Sequence, residues 1–424
     1  MPDTGLLRDA ALPNPLPAGT VAVIGLGYVG RPIALAAAAA GFAVSGFDLD
    51  PAAAAAAEAA WRGLGAPGRL SATADPARLP AAQTWLICVP TPLDAAGRPD
   101  LSLVEAALAT CVARLVRGAL VCLVSTCQPG ATNGTCRRAI EAAGFAVGRD
   151  VFLCVSPERE NPGATDGPRD VPRLLGATDE ASLARGRAFW ERVAGRVIPV
   201  ASPEIAECAK LLENTYRLVN VALMDELHRG FAALGVPTRA VVEAAATKPF
   251  GFAPFWPGAG AGGHCIPVDP EFLQMELARV GAASSLLAAA AEANRARPAA
   301  VVEGVARALG GSLAGRRVLV MGVTYKPGVA DLRGAAPLAL LRLLAARGAE
   351  ALWHDPLVAE GPGPLAPFVR AADPARCPGG PPDAVVLGTP QPGFDLAALP
   401  RLAAVAVDPF GLVPGGAAAG VRVV

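Results

Sequence analysis

The segment from Thr20 to Asp48 constrains the fold of this 424-residue chain more than any other part of it. Its pattern predicts a strand at Val21 to Ile24, a glycine turn, an alanine-rich helix ending at Ala40 and a second strand at Phe42 to Phe47. Two strands joined through one helix become parallel neighbours, because a parallel pair needs a long crossover connection. The chain therefore starts an α/β sheet domain with a βαβ unit.

Further α/β alternation follows in two blocks. The first block has strand candidates at 84–89, 119–125 and 151–155, each ending in Pro, Ser or Thr, and it should end near Val200. A long helical pattern runs from Ser202 to Arg229, and further helices reach about Ala300, interrupted by a glycine- and proline-rich loop at 248–270. A second α/β unit begins at Arg316, with a strand at 318–323, a helix at 337–346 and later strands near Ala351, Asp383 and Ala404.

The length also indicates several domains, because single hydrophobic cores stop growing at about 250–300 residues. We expect an α/β protein of two Rossmann-like doubly wound sheet domains joined by a central all-helical domain with a long linking helix. The expected boundaries are 1–200, 201–300 and 301–424.

Composition excludes several classes of partner. Lys plus Arg (37) balances Asp plus Glu (37), so no overall field attracts nucleic acid or anionic lipid. The longest uncharged apolar run, 32–47, contains two glycines and is better explained as helix, turn and strand than as a membrane span. We expect neither nucleic-acid nor membrane binding.

Cysteine usage indicates the cellular compartment. The nine cysteines form no CxxC pair and no metal-ligand cluster, which is typical of a reduced cytoplasmic protein without a structural metal. The first eighteen residues carry Asp3, Arg8 and Asp9 and lack the apolar core of a signal peptide. The sequence thus predicts a cytoplasmic location.

The turn Gly25-Leu26-Gly27-Tyr28-Val29-Gly30 follows the first strand and opens a helix, which is the context of a dinucleotide-binding fingerprint. Its glycines let the backbone approach a pyrophosphate. Asp48, at the end of the second strand, is placed to bind both ribose hydroxyls and to repel a 2′-phosphate. This favours NAD over NADP; the alternative is a glycine turn that binds nothing.

Residues 262–270 place Cys265 behind two glycines, with Pro267 two positions and Asp269 four positions further on. Glycines allow close approach of a ligand, and the proline prevents the loop from relaxing into a helix. This frame predicts a nucleophilic thiol, whereas a buried small hydrophobe is the usual role of a cytoplasmic cysteine. His264 should point away from the sulfur, so we do not assign it as the base.

Other polar residues allow two interpretations. Lys210 and Asn214 are four apart on the long helix and share one face, but the residues alone favour a snorkelling lysine and a solvated asparagine. Ser125-Thr126 and Pro157-Glu158-Arg159-Glu160 follow strand ends, where parallel sheets bind ligands, although capping or turn roles stay open.

Together these features resemble the UDP-glucose/GDP-mannose dehydrogenase family from about residue 20 to 415. The motifs occur in the family's order: VAVIGLGYVGRPIA, CVPTPL, SPERENPG, AKLLENTYRLVN, PFWPGAGAGGHCIPVDP and TYKPGVADLRG. The resemblance implies oxidation of the C6 alcohol of a nucleotide sugar to a carboxylate with NAD, through an aldehyde and a thioester on Cys265. It also implies a dimer formed through the central helices.

The resemblance assigns roles by position. For catalysis it implies Cys265, Lys210, Asn214, Asp269, Thr126 and Glu158. For the cofactor it implies Gly25, Gly27, Tyr28, Val29, Gly30, Asp48, Thr91, Thr126 and Arg333. For the substrate it implies Glu158, Arg159, Lys210, Asn214, Pro254, Phe255, Trp256, Pro257, Gly258, Gly262 and Lys326.

Two departures from the family pattern stand out. Gly334, Ala335 and Ala336 replace acidic and serine positions, and Asp225 replaces the usual asparagine. The segment 247–252 is most similar to the branch acting on UDP-N-acetylhexosamines, especially UDP-N-acetylglucosamine, while UDP-glucose or a thymidine analogue stays open. A two-electron hydroxyacid-type dehydrogenase and an inactive nucleotide-sugar sensor are the competing hypotheses.

Overall fold

The computed structural model describes residues 19–65, 68–159, 171–359, 363–414, 416 and 421–422. Glu160, part of the strand-end segment singled out in the sequence, lies outside these residues. The chain divides into two compact units, each of which is described by itself. The first comprises the residues up to Glu213 together with Glu271–Gly281, and the second comprises Asn214–Pro270 and the residues from Ala282 onward.

The first sheet has eight strands in the order β3-β2-β1-β4-β5-β6-β7-β8. All neighbours are parallel except β6 and β7. The strands are β1 (Thr20–Ile24), β2 (Ala43–Phe47), β3 (Arg69–Thr73), β4 (Thr84–Ile87), β5 (Leu120–Leu123), β6 (Phe152–Val155), β7 (Arg173–Ala177) and β8 (Val197–Pro199). The helices are α1 (Gly30–Ala39), α2 (Pro51–Leu64), α3 (Ser102–Val112), α4 (Arg137–Ala142) and α5 (Glu180–Ala194), with short turns at Pro76–Arg78 and Thr132–Cys136.

The central strands β1, β4, β5 and β6 are buried on both faces, which explains why they are apolar without alternation. Val21 and Val23 of β1 belong to one hydrophobic core. Ala22 and Ile24 belong to the core on the other face, because successive strand residues point to opposite sides. The reversal of strand order around β1 opens a crevice at the carboxyl ends of β1 and β4, the position at which such sheets bind ligands.

A run of helices follows the first sheet. They are α6 (Pro203–Ala233), α7 (Thr238–Ala246), α8 (Asp269–Arg279) and α9 (Ser285–Ala308). The predicted long helix is confirmed, but it continues four residues beyond the expected end at Arg229. The irregular segment between α7 and α8 ends at Val268 rather than at Pro270, so Asp269 is the first residue of α8.

The second sheet has six strands in the order β11-β10-β9-β12-β13-β14, and every neighbouring pair is parallel. The strands are β9 (Arg317–Met321), β10 (Glu350–His354), β11 (Val369–Arg370), β12 (Ala384–Leu387), β13 (Val405–Val407) and β14 (Val421–Arg422). Its helices are α10 (Ala336–Ala346) and α11 (Leu399–Leu402), with a short turn at Leu396–Ala398. The expected architecture of two sheet domains and a helical central region is therefore confirmed.

Two observations bear on partners. No helix in the described part of the chain combines the length and apolar character that a membrane span requires. Nor do His, Cys, Asp and Glu side chains gather anywhere in the described ranges in a group of three or more suited to a metal ion.

Candidate active site

The glycine turn after β1 has the backbone that a dinucleotide requires. Gly25 has φ +91°, and a Cβ there would lie 2.6 Å from the carbonyl oxygen of Cys88. A Cβ on Gly30 would lie 1.7 Å from the oxygen of Gly25, so neither position accepts a side chain. A Cβ on Gly27 would meet no atom within 4 Å, so there is open space beside this glycine. The space lies near the start of α1, where backbone N–H groups favour an anion.

Asp48 completes this turn from the end of β2. Its carboxylate accepts hydrogen bonds from the backbone N–H of Leu26 at 2.7 Å and of Asp50 at 2.9 Å. Each carboxylate oxygen has a second lone pair, so Asp48 retains the capacity to bind ribose hydroxyls. Tyr28 is half-exposed, and Val29 immediately precedes α1. The residues of this turn fit NAD.

Polar residues follow β4 and β5 at the carboxyl edge of the same sheet. Thr91 and Thr126 are half-buried there. The hydroxyl of Ser125 donates to the oxygen of Val89 at 2.7 Å, which ties the ends of the two strands together. Both threonines therefore lie at the edge of the sheet where parallel strands bind ligands. Ser125 instead links the two strand ends.

Glu158 is held by a residue that the sequence did not reveal. Its Oε2 accepts from Nη1 of Arg173 at 2.9 Å, and its Oε1 accepts from the N–H of Arg159 at 2.7 Å. Arg173 is 3% exposed, lies 4.1 Å from the ring centre of Trp190 and also contacts Ser156. The sequence did carry one sign of this role, because Arg173 is a charged residue at the first position of the otherwise apolar strand β7.

Arg159 is also engaged within the first unit. Its guanidinium lies 2.6 Å from a carboxylate oxygen of Glu213 and donates to the oxygen of Pro172 at 2.8 Å. These contacts fix the side chain of a residue to which the resemblance gives a substrate role.

On α6, Lys210 and Asn214 are both buried. The open alternative of a snorkelling lysine and a solvated asparagine is therefore wrong. The side-chain amide of Asn214 donates to Oδ2 of Asp269 at 2.6 Å, and Asp269 is 2% exposed. One turn of α6 thus carries a buried cation and a buried amide, and the amide is joined to a carboxylate.

Cys265 is the exposed member of the nine cysteines, all of which lie within the described residues; seven others are buried and Cys208 is half-buried. The carbonyl of Cys265 accepts from the N–H of Asp269 at 2.9 Å, so the thiol precedes the first turn of α8. The N-terminal end of a helix favours negative charge. His264, beside it, is exposed as well.

The glycines before Cys265 fit closely against the segment that follows β9. A Cβ on Gly263, where φ is +83°, would lie 2.7 Å from the ring of Tyr325, and one on Gly262 would lie 2.6 Å from the oxygen of Gly334. The N–H of Gly263 donates to that same oxygen at 3.2 Å. Gly334 itself has φ +60°, so the glycine that departs from the family pattern fits a left-handed turn.

Lys326 and Arg333 lie in the same segment after β9, at the carboxyl edge of the second sheet. Lys326 is half-buried, and burial, together with the charge of Arg217, lowers its pKa. Arg333 lies 2.7 Å from the carboxylate of Asp331. Two cations therefore lie within one loop at the ligand-binding edge of this sheet.

The loop Pro254–Gly258 precedes the thiol. Phe255 packs edge-on against Tyr216 with ring centres 5.6 Å apart, and Arg239 lies 4.2 Å from the ring centre of Trp256. Gly258 is bound through both of its backbone groups, by Asp225 and by Arg297. Sequence reasoning missed Arg297, whose partner is 72 positions away along the chain.

The class of protein follows from three features: the glycine turn after β1, the carboxylate of Asp48 at the end of β2, and the exposed thiol of Cys265 before α8. Together they are typical of a dinucleotide-dependent dehydrogenase. Models of the UDP-glucose/GDP-mannose dehydrogenase family match the chain over its NAD binding domain (residues 19–194), central domain (204–296) and UDP binding domain (319–413). The chain belongs to the UDP-glucose/GDP-mannose dehydrogenase family. It is an NAD-dependent oxidoreductase, as the sequence predicted, and its UDP binding domain supports a nucleotide-sugar substrate.

Individual relatives agree with this family. UDP-N-acetyl-D-glucosamine 6-dehydrogenase of Pseudomonas aeruginosa is 33% identical over 352 residues, 80% of this chain and 83% of the relative. UDP-N-acetyl-D-mannosamine dehydrogenase of Pyrococcus horikoshii is 30% identical over 392 residues, 88% and 90% of the two chains. Among solved structures, a UDP-glucose dehydrogenase from Pyrobaculum islandicum superposes with a TM-score of 0.82 at 26% identity, covering 98% of both chains.

Proposed function

We propose that this protein oxidises the C6 hydroxyl of a UDP-N-acetylhexosamine, UDP-N-acetylglucosamine first among them, to the uronate through a thioester on Cys265. The observation that carries the proposal is the exposure of Cys265 in the loop that leads into α8, while the other cysteines are buried or half-buried. Bound NAD+ accepts a hydride, and two molecules are consumed for each sugar.

The covalent steps balance as follows. The alcohol is first oxidised to an aldehyde. Sγ of Cys265 then bonds to C6, and the thiol proton passes to the aldehyde oxygen, which gives a thiohemiacetal. Loss of the C6 hydride and the hydroxyl proton leaves a thioester. Water adds to it, the C–S bond breaks, and the products are a carboxylate and the regenerated thiol.

Each of these steps builds negative charge on an oxygen of C6, and fixed donors stabilise such charge. In this proposal Lys210 supplies the cation. Asn214 supplies an amide N–H, since its NH2 group has a second hydrogen besides the one directed at Asp269. Asp269, Thr126 and Glu158 serve the movement of protons and the positioning of water.

In this proposal the substrate-binding residues are those that the resemblance implies: Lys326, the loop Pro254–Gly258, Gly262, Glu158 and Arg159. Thr91, Thr126 and Arg333 would contact the cofactor. Residues 1–200, 201–300 and 301–424 would act as the cofactor, central and sugar-nucleotide domains. The names of the relatives favour an N-acetylhexosamine, whereas UDP-glucose remains the second candidate because a solved relative carries that name.

We further propose a homodimer formed through α6. Exposed apolar side chains recur along this helix at intervals of seven and four residues, which places them on one face of the helix: Ile205, Leu212, Tyr216, Leu223 and Leu227. A cytoplasmic location fits a mechanism that requires a reduced thiol, and all nine cysteines are free of disulfides.

The test is a panel of UDP-N-acetylglucosamine, UDP-N-acetylmannosamine, UDP-glucose and dTDP-glucose, followed by NADH absorbance and product mass. The expected result is two NADH and one uronate per sugar, with almost no uronate from Cys265→Ala. One NADH per sugar, or indifference to Cys265→Ala, would indicate a two-electron dehydrogenase. Binding without NADH formation across the panel would indicate a sensor.

A further inference from the structure

The loop Pro254–Gly258 is anchored at one residue, Gly258. Its N–H donates to Oδ1 of Asp225 on α6 at 2.7 Å. Its carbonyl accepts from Nε of Arg297 on α9 at 2.8 Å. Both backbone hydrogen-bonding groups of one glycine are therefore bound by side chains from two different helices.

These two side chains also form a buried ion pair. Asp225 is 5% exposed and Arg297 is 2% exposed, and Oδ1 lies 3.5 Å from Nε. The second carboxylate oxygen of Asp225 is buried with no hydrogen-bond partner in the described residues. Burying such a pair carries a desolvation cost that a neutral anchor would avoid, since an asparagine could accept the same N–H.

A residue of the segment after β13, in the second sheet domain, also packs against Gly258. A Cβ on Gly258 would lie 3.0 Å from the ring of Phe410, so a side chain at position 258 would require that ring to shift. Asp408 fixes the backbone of the segment that carries Phe410 by accepting from the N–H groups of Phe410, Leu412 and Val413. The glycine is therefore fixed from α6, from α9 and from the segment after β13.

We propose that Asp225 and Arg297 are positioning residues that hold the nucleotide-sugar loop Pro254–Gly258 in its binding conformation. This inference rests on the proposed function, which gives the loop its ligand. A loop that is ordered before the ligand arrives spares the ordering cost of binding, so the pair acts on the affinity for the sugar nucleotide. Neither residue is among those assigned to the reaction itself, so we expect little change in the chemical steps at saturation.

The test compares Arg297→Met, Asp225→Asn and the double variant Asp225→Asn/Arg297→Met with wild type. The double variant removes both charges, so it keeps the fold even if one unpaired buried charge unfolds a single variant. The matched control is Arg347→Met, which breaks an exposed ion pair between α10 and Glu303 of α9 in the same unit. Steady-state kinetics use UDP-N-acetylglucosamine and NAD+, and calorimetry measures UDP binding.

We expect Arg297→Met and the double variant to raise KM for UDP-N-acetylglucosamine and Kd for UDP by about tenfold, a change that corresponds to roughly 1.4 kcal/mol. KM for NAD+ and kcat should stay within about twofold of wild type. Asp225→Asn, which keeps an oxygen for the N–H of Gly258, should have a smaller effect than Arg297→Met. Arg347→Met should match wild type.

A double variant with wild-type KM and Kd overturns the inference. So does an equal rise of KM for both substrates together with a lower melting temperature, because that is general destabilisation. If wild type binds UDP but forms no NADH with any sugar nucleotide, the proposed function fails, and the UDP affinities of the variants still decide the role of the pair. If wild type binds no UDP, the loop has no such ligand and the inference fails as well.

Discussion

The amide of Asn214 donates to the carboxylate of Asp269 across 2.6 Å, and both side chains are buried. This bond joins a turn of α6 to the first residue of α8, one turn after Cys265. An ionised carboxylate that is buried needs such donors, because an unsatisfied charge is costly in a protein interior. The bond therefore gives Asn214 a structural role beside the catalytic one proposed for it.

Replacement of Asn214 by alanine should lower both stability and activity. We expect a loss of about 1–3 kcal/mol in the free energy of unfolding, since the buried carboxylate of Asp269 loses the hydrogen bond from Asn214. We expect kcat to fall by about 100-fold or more if the amide also stabilises the oxyanion. Denaturant unfolding and steady-state kinetics measure the two effects. Asn220→Ala, on a more exposed part of α6, is the control, and equal losses in both variants would contradict the role of Asn214.

Alkylation should distinguish Cys265 from the other thiols. Cys265 is exposed, whereas Cys208 is half-buried and burial raises its pKa. Because the thiolate reacts, iodoacetamide should modify Cys265 at least about tenfold faster than Cys208. Peptide mass spectrometry after timed exposure gives both rates, and Cys208→Ser serves as the control. Earlier labelling of any other cysteine would show that Cys265 is not the accessible nucleophile.

Removal of Arg173 should be strongly destabilising. Arg173→Met removes the buried guanidinium that pairs with the carboxylate of Glu158, and breaking such a pair costs about 3–5 kcal/mol. Arg185→Met is a matched control in the same unit, since Arg185 also stacks on an aromatic ring, that of Phe152, at 3.9 Å. Thermal and denaturant unfolding measure the difference. Similar losses in the two variants would mean that the ion pair adds nothing beyond packing.

Asp225 should make the affinity for the sugar nucleotide depend on pH. Burial raises its pKa to about 6, against the attraction of Arg297, the hydrogen bond from the N–H of Gly258 and the charge of Arg229. His228 is the titratable neighbour of Arg297. Burial lowers the pKa of His228 to about 4, so His228 stays neutral between pH 5 and 7. Protonation of Asp225 removes its attraction for Arg297, so KM should rise as pH falls through about 6.

Titration of Asp225 should affect the stability of the fold in the opposite direction: the affinity for the sugar nucleotide falls at low pH, whereas the free energy of unfolding rises. Because the pKa of Asp225 in the folded state exceeds its ordinary value of 3.8, the folded state binds the proton more tightly. This contribution, roughly 3 kcal/mol, is complete below pH about 4 and is lost as pH rises through about 6. Kinetics and denaturant unfolding from pH 5 to 8 test both signs. In Asp225→Asn both dependences should flatten, and an unchanged inflection would assign the titration to another group.

Local pattern predicted the elements that carry the cofactor. The strand, glycine turn, helix and second strand between Thr20 and Asp48 appear within one residue of their expected bounds. Apolar periodicity and glycine chemistry are properties of neighbouring residues, so they can be recognised without tertiary information. The long helix α6 and the irregular loop that carries Cys265 could also be recognised from neighbouring residues alone.

Other elements could not be recognised in this way. The pairing of β6 with β7 is antiparallel, although the rest of the first sheet is parallel. Pro298 lies inside α9, where local rules predict a break, and it is buried there. In both cases packing against distant segments outweighs the local preference.

The sequence by itself determined the class of the protein, because the glycine turn, Asp48 and the Cys265 loop are contiguous or closely spaced motifs whose chemistry depends on local geometry. Only the tertiary structure decided that Lys210 and Asn214 are buried, that Arg173 holds Glu158 and that Asp225 pairs with Arg297. Burial and ion pairing join residues that lie far apart along the chain. They depend on which helices and strands pack together, and local sequence patterns do not reveal that packing.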